Sequence, residues 1–91
     1  MKIRWARSAS KHRIRRPRSR YVIEHCRLRF RIPPPAGQAD DRLVYLGDDP
    51  DGVPLEVMAI ELAEDELFVI HAMPLREKYR ADYEEAKKWR I

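Results

Sequence analysis

The chain has one cysteine, three glycines and no long hydrophobic run. Cys26 has no second cysteine to pair with, so an intramolecular disulfide is excluded and nothing indicates an oxidising compartment. The few glycines form no glycine-rich phosphate-binding loop. No apolar segment approaches the roughly 18 residues of a membrane-spanning helix, and no apolar signal core follows the basic start. We therefore expect a soluble, cytoplasmic protein that does not enter a membrane.

The sequence also lacks the spacing of a metal site. Its three histidines, His12, His25 and His71, and the lone Cys26 do not form a metal-ligand motif. No serine lies in a nucleophile elbow. We expect neither a metal nor a cofactor.

The length allows one domain, spanning residues 1–91. A chain of 91 residues has a thin core, so each large apolar residue matters. Hydrophobic residues make up 44% of it, which is too many for a disordered tail, and charged residues make up 37%. This balance predicts a compact fold with a heavily charged surface.

The first third of the chain has almost no acidic residues. Residues 1–32 carry twelve lysines or arginines and one acid, a net charge of +11, whereas residues 33–91 have a net charge of −7. Such segregation attracts polyanions whatever the total charge. We interpret this segment as a nucleic-acid-binding surface, with an acidic protein partner or mere solubility as the alternatives. The candidate RNA-binding residues are Lys11, His12, Arg13, Arg15, Arg16 and Arg18.

The N-terminal half predicts two helices. Ser8 or Ser10 can cap a short helix that runs to about Arg15. Pro17 suits the first turn of a second helix, which runs to about Cys26. Residues 2–5 form either a short strand or an extended arm.

Four strands and a final helix follow. Alternation and turn residues predict strands over 28–32, 42–47, 53–62 and 67–73. The segments 48–52 and 63–66 are predicted turns. Pro74 begins a helix that runs to about Trp89, with Leu75, Tyr79, Tyr83 and Ala86 on its inner face. The sequence therefore predicts an α+β fold, a small antiparallel sheet of about four strands with two N-terminal helices and one C-terminal helix.

Pairing the strands across these turns predicts two different sheet faces. The turn lengths place Val44 opposite Glu56, and Met58 opposite His71. One face is an apolar core face, with the residues Leu43, Tyr45, Leu55, Val57, Ala59, Phe68, Ile70 and Ala72. The other face has an apolar outer half, with Ile60, Leu62, Leu67 and Val69. Its inner half brings together Arg42, Glu56 and His71, and Arg76 lies just beyond the last strand.

An acid, a base and cations on one sheet face are the groups needed to cleave RNA without a metal. Such cleavage needs a base for the ribose 2′-OH, a cation for the phosphorane and a proton donor for the leaving 5′-oxygen. We predict Glu56 as the base and His71 as the acid, with Arg42 and Arg76 as charge stabilisers. The alternative is structural: a half-buried strand histidine beside a cross-strand ion pair of Glu56 and Arg42.

The order of residues resembles the BrnT family. The shared features are Trp5, the Lys11-His12 pair, a strand from Arg42 to Gly47 with Gly52 in the turn after it, and an apolar strand leading into a charged helix. BrnT proteins are ribonuclease toxins of bacterial type II toxin–antitoxin systems with a RelE-like fold. The resemblance implies an RNase that arrests translation and is neutralised by a small cognate antitoxin.

Two other functions fit the same residues. One is a non-catalytic RNA- or DNA-binding module, in which the polar groups on the sheet are only structural. The other is an interaction domain that binds an acidic helix through residues 1–32.

Overall fold

The structure is a computed structural model that describes residues 1–63 and 65–89, and it is an α+β fold with a helix on each side of one sheet. The strands are β1 (Lys2–Trp5), β2 (Leu28–Ile32), β3 (Arg42–Asp48), β4 (Pro54–Ala63) and β5 (Glu66–Pro74). The helices are α1 (Arg16–His25) and α2 (Arg80–Lys88), and two 3₁₀ turns span Arg7–Ser10 and Glu77–Tyr79. Within the described ranges, no helix is long and apolar enough to cross a membrane.

The sheet has five strands in the order β1-β5-β4-β3-β2. Three of its four pairings are antiparallel, but β1 runs parallel to β5, with Ile3 beside Leu67 and Trp5 beside Val69. The prediction of an antiparallel sheet of about four strands was therefore wrong in strand number and in the direction of one pairing. The α+β class is confirmed.

The first predicted helix is only the four-residue 3₁₀ turn Arg7–Ser10. The hydroxyl of Ser8 caps no helix; it donates to the carbonyl of Ile70 at 2.7 Å. Arg13 then has a φ of 61°, a left-handed backbone conformation that a right-handed helix cannot include. Only α1 remains of the two predicted N-terminal helices, and it begins one residue before Pro17.

The hairpin of β3 and β4 is shifted from its predicted register. Val44 pairs with Met58 and Leu46 pairs with Glu56, so Glu56 is not opposite Val44. The cause lies in the turn, where the Asp49 carboxylate accepts hydrogen bonds from the backbone N–H groups of Asp51 and Val53. This turn lets pairing continue to Asp48 and Pro54. The shift is by two positions, so every side chain keeps its predicted face.

A bulge changes the faces of the first half of β5. Met58 pairs with His71 as predicted, but Ala59 pairs with Val69, which leaves Ile70 without a partner in the ladder. Leu67 and Val69 consequently turn into the core on the α1 face, while Ile70 packs on the α2 face. The predicted faces of residues 67–70 were therefore wrong, because one extra residue inverts the alternation.

The two helices cover different parts of the sheet. On one face, α1 packs with the turn Arg7–Ser10 over a core that includes Val22, Val57 and Val69. On the other face, Tyr79 and Tyr83 pack against β2, β3 and β4. Tyr83 is buried and donates to Asp48; burial and this hydrogen bond raise its pKa to about 12. The region of β5 around the bulge remains partly exposed.

Candidate active site

Glu56 is the centre of a compact polar cluster on the α2 face. Its side chain is fully buried, and both oxygens are hydrogen-bonded. Oε1 accepts the backbone N–H of Arg76 at 2.8 Å. Oε2 accepts Nε and Nη2 of Arg76 at 2.9 and 2.6 Å, and lies 3.2 Å from Nε2 of His71. The predicted proximity of Glu56, His71 and Arg76 is therefore present in the fold.

The same contacts determine the charge of Glu56. Burial by itself raises the pKa of the carboxyl, but the hydrogen bonds from His71 and Arg76 outweigh it and lower the pKa from 4.5 to about 2. The carboxylate in turn raises the pKa of Arg76. Glu56 is an anion at neutral pH with no surface open to solvent. It is therefore a poor proton acceptor for a substrate and a good anchor for the groups around it.

His71 is the member of this cluster that remains accessible. Its side chain is 23% exposed, whereas that of Glu56 is 0% exposed. An ionised carboxylate only accepts hydrogen bonds, so the proton on Nε2 of His71 points at Glu56. In the neutral ring, Nδ1 is then the unprotonated nitrogen. A buried anion thus fixes which nitrogen of His71 can act as a base.

A second histidine lies beside the first. The ring of His12 is 5.9 Å from that of His71 between centroids, at an angle of 67°. Its position depends on the 3₁₀ turn Arg7–Ser10, which is tied to the bulged part of β5 by the Ser8 hydroxyl and by a 2.8 Å hydrogen bond from Ala6 N–H to the carbonyl of Val69. The sequence marked His12 only as an RNA-binding residue, because no local pattern connects it with a residue 59 positions away.

Arg42 lies outside this cluster. It pairs with Ile32 of the edge strand, and its guanidinium donates to the side chain of Gln38. Leu46, four residues further along β3, is the residue opposite Glu56, which puts Arg42 about 13 Å along the strand from the cluster. The prediction that Arg42 meets Glu56 and His71 was wrong because of the two-residue change of register.

The predicted RNA-binding residues divide into two groups. Arg18 donates from Nε to the buried carboxylate of Asp49 at 2.7 Å, so it supports the turn between β3 and β4. The rest lie in residues 7–16, which we call the basic loop. Within the described part of the chain, Arg7 and the predicted Lys11, Arg13, Arg15 and Arg16 of this loop form no ion pair. The loop therefore carries uncompensated positive charge next to the two histidines.

A larger cavity lies elsewhere. It has a volume of about 500 Å³ and is lined by the end of α1, the turn after β3 and the end of α2, including His25, Arg27, Asp48 and Trp89. Two of its charged groups, Arg27 and Asp48, are paired with each other at 3.6 Å, and a third, Asp49, is paired with Arg18. Across residues 1–63 and 65–89, no three histidine, cysteine or acidic side chains are grouped to hold a metal ion. The convergence of ionisable side chains, and not cavity size, identifies the site around His71.

Comparison with known proteins adds no family to this description. No protein-family model matches the chain, and neither a curated protein nor a solved structure matches it significantly.

Proposed function

We propose that this protein is an RNA-cleaving toxin of a type II toxin–antitoxin pair, a metal-independent endoribonuclease with a RelE-like fold. The observation that carries the proposal is the pair of adjacent histidines, one of them held by a buried carboxylate–arginine pair. Two neighbouring histidines can supply the base and the acid that such a cleavage needs. The resemblance of Trp5, Lys11-His12 and the Arg42–Gly47 strand to BrnT toxins supports the same assignment.

The proposed reaction begins with the ribose 2′-OH of the substrate. Nδ1 of His71 takes the proton from this hydroxyl, and the 2′-oxygen attacks the adjacent phosphorus. The bond from phosphorus to the 5′-oxygen breaks, and His12 in its protonated form gives a proton to that oxygen. The products are a 2′,3′-cyclic phosphate and a 5′-hydroxyl end. Arg76 places a positive charge where the phosphorane develops.

Glu56 has a different part in this scheme from the predicted one. Its carboxylate is enclosed and already accepts four hydrogen bonds, so it does not receive the proton of the substrate. It orients the ring of His71 and the guanidinium of Arg76. It also stabilises the positive charge that forms when His71 takes up a proton, as a carboxylate does for a catalytic histidine in a hydrolase triad.

The basic loop holds the RNA in this proposal. Lys11 and Arg13 flank His12, so a phosphate bound by either of them lies close to the proposed proton donor. An antitoxin with an acidic segment neutralises the toxin by occupying the same loop. Electrostatic complementarity of this kind gives fast and specific association.

A second function is favoured by the position of Glu56. Its contacts join β4 to the segment after β5, which is a structural task that requires no catalysis. If this is their entire role, the protein is a non-catalytic RNA-binding module, and the basic loop alone carries its function.

Cleavage assays on histidine variants separate the two functions. Purified protein is incubated with total RNA in parallel with and without EDTA, and the new ends are sequenced. We expect His71→Ala and His12→Ala each to lower the cleavage rate by about 10²- to 10⁴-fold, the range for loss of a general acid or base. His25→Ala is the matched control, because His25 is exposed at the end of α1 and contacts Tyr21.

Three outcomes contradict the proposal. Absence of cleavage by the wild type leaves the RNA-binding module. Full activity of both His71→Ala and His12→Ala refutes the assigned site, and loss of cleavage in EDTA refutes a metal-independent mechanism.

A further inference from the structure

A cavity on the α1 side of the basic loop has the lining of a base-stacking site. It has a volume of about 340 Å³ and lies between the end of β1, the 3₁₀ turn Arg7–Ser10 and the start of α1. The residues that matter here are Trp5, Arg7, Ser10, Ile14 and Arg16. This volume is within the range of small-molecule sites, which begins at about 300 Å³. We call it the Trp5 cavity.

One side of the Trp5 cavity is aromatic and rigid. Trp5 is half-buried at the end of β1 and packs against the core on the α1 face, as does the buried Ile14. The guanidinium of Arg16 lies over the indole ring, 5.7 Å from its centroid. Indole rings and guanidinium planes are the surfaces on which proteins stack nucleobases. The packing of Trp5 holds such a surface in place before any ligand arrives.

The charge of the cavity also matches a nucleotide. Of the described residues that line it, Arg7 and Arg16 are the ionisable ones, and both are cations. Ser10 adds a hydroxyl, which donates to the carbonyl of Arg7 at 2.9 Å and keeps its oxygen as an acceptor. An aromatic wall with cations and one hydroxyl fits a base attached to a phosphate better than it fits a purely apolar ligand.

The position of the cavity connects it with the proposed site. Ser10 lines the cavity and is two residues from His12, so their Cα atoms are at most about 7 Å apart. Trp5 pairs with Val69 on the α1 face, whereas His71, two residues further along β5, lies on the α2 face. The basic loop joins the two places, with His12 beside His71 and Ser10 and Arg16 at the cavity. We propose that the Trp5 cavity receives one nucleobase of the RNA strand bound at His12 and His71, stacked on Trp5. The inference rests on the proposed function for its substrate, and it makes Trp5 a positioning residue for that strand.

Fluorescence of Trp5 tests the inference without altering the cavity. The chain has two tryptophans, so Trp89→Phe leaves Trp5 as the only one. The probe is a single-stranded, fully 2′-O-methylated RNA of about eight nucleotides, a length within the site sizes of single-strand-binding folds. It binds but cannot be cleaved, since it has no free 2′-OH. We expect saturable quenching of Trp5 fluorescence; binding of the labelled probe without quenching would overturn the inference.

Substitutions at Trp5 give a second measurement. Trp5→Leu keeps an apolar side chain without a ring, and Trp5→Phe keeps a smaller ring. We expect the probe to bind about tenfold more weakly to the leucine variant and within about threefold of wild type to the phenylalanine variant, as loss of one stacked base predicts. Thermal unfolding shows whether each variant is folded. Equal affinity for a folded leucine variant and wild type would contradict stacking.

A separate pair of variants tests the contribution of the Arg16 guanidinium to stacking. Arg16→Met keeps the apolar part of the side chain and removes its charge and plane, whereas Arg80→Ala removes one charge from α2 on the other side of the sheet. We expect only Arg16→Met to reduce the quenching of Trp5 beyond the effect of lost charge. An equal effect of the two substitutions would reduce Arg16 to a general electrostatic contribution and refute its place in the stack.

The inference and the proposed function fail in different ways. Quenching of Trp5 by the methylated RNA, with no cleavage of natural RNA, supports the cavity and refutes the RNase. Cleavage of natural RNA without quenching of Trp5 refutes the cavity and supports the RNase. Quenching by free nucleoside monophosphates but not by the RNA probe would overturn the assignment to an RNA strand.

Discussion

Asp49 and Glu56 are both buried carboxylates, each paired with an arginine, but their surroundings differ. Asp49 is 3% exposed in the turn after β3, where it accepts two backbone N–H groups and Nε of Arg18. Glu56 is 0% exposed in the middle of the sheet, where it accepts Arg76 and one ring nitrogen of His71. Both carboxyls have a pKa below the usual value; burial alone would raise it, and their hydrogen bonds outweigh that effect.

The two carboxylates differ in whether the groups they bind can still contact a ligand. The partners of Asp49 are a local turn and one arginine, so its contacts end within the protein. Glu56 holds a histidine whose other nitrogen is not used by the carboxylate and whose ring lies beside His12. A carboxyl with a shifted pKa therefore indicates function only where it positions a partly exposed group that can act on a ligand.

The largest expected effect is on stability at neutral pH. Glu56→Gln leaves Arg76 without its counter-charge, and removing one partner of a buried ion pair costs about 3–5 kcal/mol. We expect the lower end, about 3 kcal/mol, because the Arg76 side chain is 37% exposed. Asp49→Asn keeps an oxygen for the two N–H groups and should cost about 1–2 kcal/mol. Urea unfolding followed by circular dichroism measures both, and equal losses would remove the distinction between the two sites.

Acid should destabilise the protein through Glu56. The pKa of this group is about 2 in the folded protein and near 4.5 when unfolded, so the unfolded chain takes up the proton first as the pH falls. Its stabilisation is complete above about pH 5 and is lost towards pH 2, by about 3 kcal/mol at most. The free energy of unfolding of Glu56→Gln should therefore fall less over this range than that of wild type. A parallel decline in the two proteins would contradict the low pKa.

The smallest effect is expected on the salt dependence of RNA binding. The comparison is between Arg18, which pairs with Asp49, and two cations of the basic loop. Replacing both Lys11 and Arg15 by alanine should lower the slope of log affinity against log salt by about 0.7 for each lost phosphate contact on single-stranded RNA. Arg18→Ala should leave the slope unchanged, because Arg18 already pairs with Asp49. Fluorescence anisotropy with a labelled RNA measures the slopes. An equal change for Arg18→Ala would place that residue on the RNA surface.

Local patterns in the sequence predicted strands β2 to β5, helix α1 and the chemical types at the site, but not the 3₁₀ turn Arg7–Ser10. Alternation of apolar and polar residues gave β2 its observed bounds and placed β3, β4 and β5 within one residue of theirs. It also put Glu56 and His71 on one face, because a strand has a period of two and an even change of register preserves the faces. The positive charge of the basic loop could be predicted from its composition alone.

Several contacts between distant segments are visible only in the tertiary structure. Pairing of β1 with β5, the unpaired Ile70 and the meeting of His12 with His71 join parts of the chain that no local periodicity connects. The burial of Glu56 likewise follows from packing, and it changes the predicted base into a group that positions His71. Local propensities act over a few residues, whereas a functional site is assembled by contacts across the whole sheet.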